Sequence, residues 1–155
     1  MYKYFWMLLP LLANADETLI QPPINAETQY ELGMRYARGV GYQRDDVRAK
    51  QLLESAAKQD HSKAIYALGW LYYSGRGVKV DYRLAVEFFR RAARNDLPEA
   101  QYMLGIMYGQ GKGITRDGRL SLYWIKQAAE KGHTAAKKML GKLFGSMSIH
   151  PPVNP

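Results

Sequence analysis

The chain has 155 residues, 47% of them hydrophobic, and a net charge of +8. That is long enough for one domain with a sizeable core, and too apolar for a disordered chain. The absence of cysteine excludes thiol chemistry and disulfide support, and the positive excess favours acidic partners: nucleic acid, an anionic envelope surface or an acidic protein.

The first fifteen residues, MYKYFWMLLPLLANA, bear on that choice. Lys3 precedes an apolar run from Phe5 to Leu12, and Ala13-Asn14-Ala15 offers the small residues a signal peptidase needs. The run is too short to span a bilayer, so no stable membrane insertion is expected. Residues 1–15 read as a signal peptide, and the mature protein as periplasmic or secreted. Export sets nucleic acid aside as a partner. Residues 16–25 read as a linker.

From residue 26 the chain repeats itself. Leu32-Gly33, Leu68-Gly69, Leu104-Gly105 and Leu140-Gly141 stand 36 residues apart. The same step joins Gly39, Gly75 and Gly111, then Gly41, Gly77 and Gly113, then Asp45, Asp81 and Asp117. Three units follow, 26–61, 62–97 and 98–133, with a capping half unit at 134–144 and a flexible tail at 145–155. Each unit predicts two helices. In the second, Ala64, Leu68, Leu71 and Tyr72 make one apolar stripe at helical spacing. Gly69 leaves room for a close neighbour, Gly75 and Gly77 permit left-handed turn geometry, and Asp81 N-caps the second helix. Ala85, Phe88, Phe89, Ala92 and Ala93 form that helix's apolar face. One helix pair cannot bury both its faces, and stacked pairs can. The expected fold is therefore all-α, a right-handed α-solenoid of helix-turn-helix repeats. In the half unit, Lys137, Lys138 and Lys142 would give the outer face its charge.

The unit A-x-Y-x-L-G-x-x-Y-x-x-G-x-G-V, followed by D, A, an aromatic pair and A-A, resembles the Sel-one-like repeat family, related to the tetratricopeptide repeats. Asp60 and Asp96 stand where the pattern has the glycine seen at Gly132, and Leu52-Leu53 replace the aromatic pair in the first unit. The resemblance implies a scaffold that binds proteins or peptides, as adaptor, regulator or immunity-type protein. Some cysteine-rich exported relatives are linked to cell-wall ligands or β-lactam hydrolysis. This chain has no cysteine, so that activity is not carried over.

Catalytic chemistry has little support. His61 and His133 occupy equivalent positions two units apart, too far to share a metal, and read as surface turn residues; His150 lies in the tail. Asp45, Asp81 and Asp117 are one repeat apart and N-capping explains each. SGRGVKVD lacks the phosphate-loop spacing. No catalytic residue, metal site or cofactor is expected, and a hydrolase ranks last.

Binding residues are sought on the first helix of each unit. On a wheel of about 100° per residue, Tyr66, Trp70 and Tyr73 fall opposite the Leu68 stripe. In tetratricopeptide-like solenoids that side lines the concave groove. Tyr30, Met34, Tyr66, Trp70, Tyr73, Tyr102 and Ile106 are the candidate partner-binding strip, centred on Trp70. Packing between neighbouring first helices is the alternative, strongest for Tyr30, Tyr66 and Tyr102, which recur in every unit. Arg76, Lys79 and Arg83, with Lys112, Arg116 and Arg119 one unit on, would align as a basic edge, unless they are ordinary solvated turns. A basic edge would suit an acidic protein or peptide, or else a cell-wall polymer or peptide fragment. The oligomeric state is left open.

Overall fold

The computed structural model describes residues 25–145. These hold seven α-helices and no strand. They are α1 Ala26–Arg38, α2 Asp46–Lys58, α3 Ser62–Ser74, α4 Tyr82–Arg94, α5 Pro98–Gln110, α6 Gly118–Glu130 and α7 Thr134–Gly145. The segments read as signal peptide, linker and tail lie, apart from residues 25 and 145, outside the described residues. No described helix is long and apolar enough to cross a membrane.

Helices α1 and α2, α3 and α4, and α5 and α6 pack as hairpins, and each hairpin stacks on the next. The α-solenoid read from the period is what forms, and its punctuation is where the sequence puts it. Asp45, Asp81 and Asp117 cap α2, α4 and α6, each accepting a backbone N–H of the first turn through its carboxylate. Gly75 closes α3 with φ +74° and returns its N–H to the Leu71 carbonyl. Asp60 and Asp96, which replace the pattern's glycine, also adopt positive φ, 58° and 62°. Asp is among the few residues that tolerate this region, and each finds a cation one unit on: Asp60 pairs with Arg91, and Asp96 with Lys131 at 2.6 Å.

A continuous core runs from Leu53 through Ile65, Leu68 and Phe89 to Leu104 and Met107. Each fully buried large side chain contributes about 1.5–3 kcal/mol of transfer free energy. The alanine pairs Ala56-Ala57, Ala92-Ala93 and Ala128-Ala129 are all buried, which lets successive hairpins approach closely. The close neighbour admitted by Gly69 is the Phe89 ring: a Cβ on residue 69 would stand 2.7 Å from it.

At the C-terminal end α7 covers a smaller cluster of Ile125, Ala128 and Ala129 with Ala136 and Leu140. Lys137, Lys138 and Lys142 are exposed, as an outer face requires, but Met139 shares that exposure. The cap is therefore mixed rather than uniformly charged.

His61 and His133 do more than occupy turns. Each is half-buried and caps the next helix through Nδ1, which accepts the N–H of Ala64 at 3.1 Å or Ala136 at 3.2 Å. Each ring also lies against the tyrosine on the first helix of its own unit, Tyr30 at 4.8 Å and Tyr102 at 4.5 Å. His61 Nε2–H donates to Glu27 at 2.9 Å, and that bond holds the Glu27 carboxyl below its usual range. Surface turn placement missed this because an imidazole with one bare nitrogen can cap a helix while its ring buries apolar area.

Candidate functional site

The candidate strip lies on α1, α3 and α5, the first helices of the three units. Two contacts show that α1 and α3 run side by side in the same direction. Glu27, at the start of α1, meets His61, just before α3; Ala37, at the end of α1, meets Arg76, just after α3. Between the two helices is a groove of ≈ 410 Å³. Tyr30, Met34 and Ala37 line it from α1, Tyr66, Ala67 and Trp70 from α3, and Leu53 reaches it from α2. Arg38, Lys63 and Arg76 line it as well.

Trp70 is 38% exposed and sits in a line of aromatic rings. Its ring meets Tyr66 at 6.3 Å and Tyr73 at 5.3 Å, both edge to face, the arrangement that ring quadrupoles favour. Phe89 lies 5.6 Å from Tyr66 and 6.2 Å from Trp70. The side of α3 opposite Leu68 is therefore half-covered rather than bare, because an inner helix of a stack has neighbours on more than one side. Burial pushes the Tyr66 hydroxyl above its usual range; the hydrogen bond with Trp70 opposes this and the Glu99 carboxylate adds to it, so the phenol stays neutral.

The seven strip residues do not form one surface. Tyr30, Met34, Tyr66 and Trp70 share the groove. Tyr73 touches Trp70 but also Tyr82, at 5.4 Å, and it takes Lys112 against its ring. Tyr102 packs on His133 in the next junction, and Ile106 is half-buried on α5, outside the groove lining.

The six basic residues also divide. Arg76 reaches back 39 residues to donate to the Ala37 carbonyl and to Asp46 Oδ1, the latter at 3.1 Å. Lys112 reaches back the same way, with Nζ 3.3 Å from the Tyr73 hydroxyl and over the Tyr73 and Tyr82 rings at 5.3 and 5.4 Å. Both are latches between units. Lys79, Arg83, Arg116 and Arg119 are exposed, and their side chains make no ion pair among the described residues.

The sequence reading missed Ala37, Arg38, Lys63 and Ala67 as groove residues. Their signal was present in the repeat: Ala37 and Ala67 are small where Tyr73 and Met103 stand one unit later. It also missed a polar cleft at the first turn, where Tyr36 and Tyr42 lie 4.7 Å apart between Arg35 and Arg48. The cleft's charges are largely spent on one another, Arg44 on Asp46 at 2.7 Å and Arg48 near Asp45 at 3.8 Å. Among the described residues no group of three or more His, Asp or Glu could hold a metal ion.

The Sel1 repeat model matches residues 26–61, 62–97 and 98–133. A Sel1 repeat protein from Oxalobacter formigenes is 38% identical, with TM-score 0.71, over 88% of this chain and 98% of that one. A protective antigen present in uropathogenic Escherichia coli strains, displaying an SLR fold, is 36% identical with TM-score 0.75 over 86% of this chain, which spans 28% of that longer protein. Cysteine rich protein B of Helicobacter pylori shares the fold at 21% identity and TM-score 0.64, over 74% of this chain and 88% of its own. No curated protein matches.

Proposed function

The chain belongs to the Sel1 repeat family, whose members are generally protein–protein interaction modules, and on that premise we propose that it is an exported adaptor or regulator holding a segment of another protein between α1 and α3. The observation that carries this reading is Trp70: a large aromatic, 38% exposed, beside a groove with small residues in its lining. Aromatics give large contact area at low entropic cost and are the usual anchors of interfaces. Export rests on the leader pattern of residues 1–15, and the intact mass of protein from a periplasmic extract tests it. A chain starting at Asp16 is expected; retention of Met1 would sink it. Binding is tested by capture from envelope extracts with the wild-type protein and Trp70→Ala. A partner retained by the first and lost by the second is expected. Equal capture by both would exclude the groove.

The exposed Lys79, Arg83, Arg116 and Arg119 favour a second reading, attachment to an anionic cell-wall polymer. Sedimentation with purified wall sacculi, reversed by salt, would support that reading over the first.

A further inference from the structure

Resting on the reading that the α1–α3 groove is the binding site, we infer that its occupant is a short extended peptide segment in which a bulky apolar side chain is flanked on both sides by Asp or Glu.

The apolar anchor follows from the middle of the groove. Tyr30, Met34, Tyr66 and Trp70 stand there beside Ala67, with Ala37 towards the Arg38 end, and the two alanines leave the space that Met103 and Tyr73 occupy one unit later. A volume of ≈ 410 Å³ suits a few side chains and not a folded element.

The acidic flanks follow from the ends. Lys63 is in the first turn of α3, and Arg38 in the last turn of α1. Because the two helices run the same way, these cations stand at opposite ends of the groove. Arg76 adds to the Arg38 end, part of its charge being answered by Asp46. Arg38 and Lys63 make no ion pair among the described residues, and no carboxylate lines the groove. Two acids act on the lining from outside it: Glu27, bonded to the neutral His61, answers part of the Lys63 charge, and Glu99, in the following unit, acts on Tyr66. One unit on, the positions of Arg38, Lys63 and Arg76 hold Ser74, Glu99 and Lys112, whose charges cancel. The positive ends are thus particular to this groove and are not a by-product of the protein's overall basicity. At about 1.5 Å per helical residue and about 3.3 Å per extended residue, the path from Lys63 to Ser74 takes roughly five peptide residues. The occupant therefore reads acid, spacer, apolar, spacer, acid.

The test is selection of random peptides displayed on phage against protein purified after expression of the full chain, followed by affinity measurement on the selected peptides. The proposal expects apolar residues with Asp or Glu within two or three positions on each side. It also expects Lys63→Glu with Arg38→Glu, both exposed sites, to weaken those peptides by about tenfold or more, and added salt to weaken the wild type. Thermal melts confirm that the double variant folds. Selection of apolar peptides without acidic flanks, abolished by Ala67→Met, would overturn the acidic motif and leave the groove reading standing. Selected peptides that bind Ala67→Met and Trp70→Ala as tightly as wild type would overturn both. Enrichment of no peptide would overturn the inference, and capture of a folded partner through Trp70 would still be open to the broader reading.

Discussion

Between α1 and α3 the groove-lining residues on the two facing helices include Ala37 and Ala67; one unit on, between α3 and α5, their equivalents are Tyr73 and Met103. Met34 likewise becomes Trp70, and Leu53 becomes Phe89. The backbone turns are the same, since the left-handed Gly39, Gly75 and Gly111 close the first helices and Asp45, Asp81 and Asp117 open the second ones in every unit. In the second junction Met103 is buried in the core and Tyr73 meets Lys112 of the next unit, while the smaller residues border the cleft in the first. A solenoid's stability is close to a sum of unit and nearest-neighbour interface terms, so one junction can be left open while another is filled.

The difference can be broken hardest at Phe89. It is fully buried, fills the space beside Gly69 and backs both Tyr66 and Trp70. Phe89→Ala is expected to cost about 3–5 kcal/mol, measured by urea unfolding. Leu53→Ala, its equivalent in the open junction, should fall toward the low end of the ~2–5 kcal/mol range, because Leu53 already borders the cleft. Equal losses would mean that the two junctions are filled alike.

Trp70 belongs to both regions, facing the cleft while touching Phe89 and Tyr73. Trp70→Ala is expected to cost about 1–2 kcal/mol of stability, less than a core aromatic because the residue is 38% exposed. Partner affinity should fall by about 2 kcal/mol or more. A stability loss matching that of Phe89→Ala, with partner affinity unchanged, would make Trp70 a core residue.

Period and composition made most of the fold legible. The 36-residue step fixed the units, and Asp45, Asp81 and Asp117 marked the second helices because a carboxylate before an apolar periodic run is a capping pattern. The binding strip was legible only in part. The wheel found Tyr30, Met34, Tyr66 and Trp70, but a wheel treats each helix alone. Whether a space lies between two helices depends on the paired sizes at positions such as 37 and 67, which belong to different units. The latches were hidden for a similar reason: Arg76 and Lys112 each follow a turn glycine and look solvated, and their partners stand 39 residues earlier.

Filling the cleft should convert one junction into the other. Ala67→Met gives the first junction the side chain that Met103 supplies in the second. Residue 67 is half-buried, so overpacking strain should be small, within about 1 kcal/mol by thermal melt. Partner affinity should fall by about tenfold or more, since the added side chain takes the anchor's space. Unchanged affinity would remove the cleft from the binding account.

The latches carry the smallest difference, and it appears only with pH. In the first junction Arg76 bonds to Asp46, and in the second Lys112 lies over Tyr73 and Tyr82, Tyr82 being the equivalent of Asp46. The hydrogen bond from Arg44 lowers the Asp46 carboxyl below its ordinary 3.8, desolvation opposes this, and Arg76 adds to the lowering. A carboxyl lowered on folding contributes stability that is complete above its unfolded pKa and is lost as pH falls through the folded one. Above about pH 4, Asp46→Asn should therefore cost up to about 1 kcal/mol, a modest figure because Arg44 and Arg76 are well exposed. As the pH is lowered past that point the gap between variant and wild type should close. Lys112→Ala should cost the same at pH 6 and pH 3, because Lys112 meets two aromatic rings and a hydroxyl and not a carboxylate. Melting curves of both variants at the two pH values test this. A gap for Asp46→Asn that stays constant with pH would show that the first latch is held by geometry and not by charge.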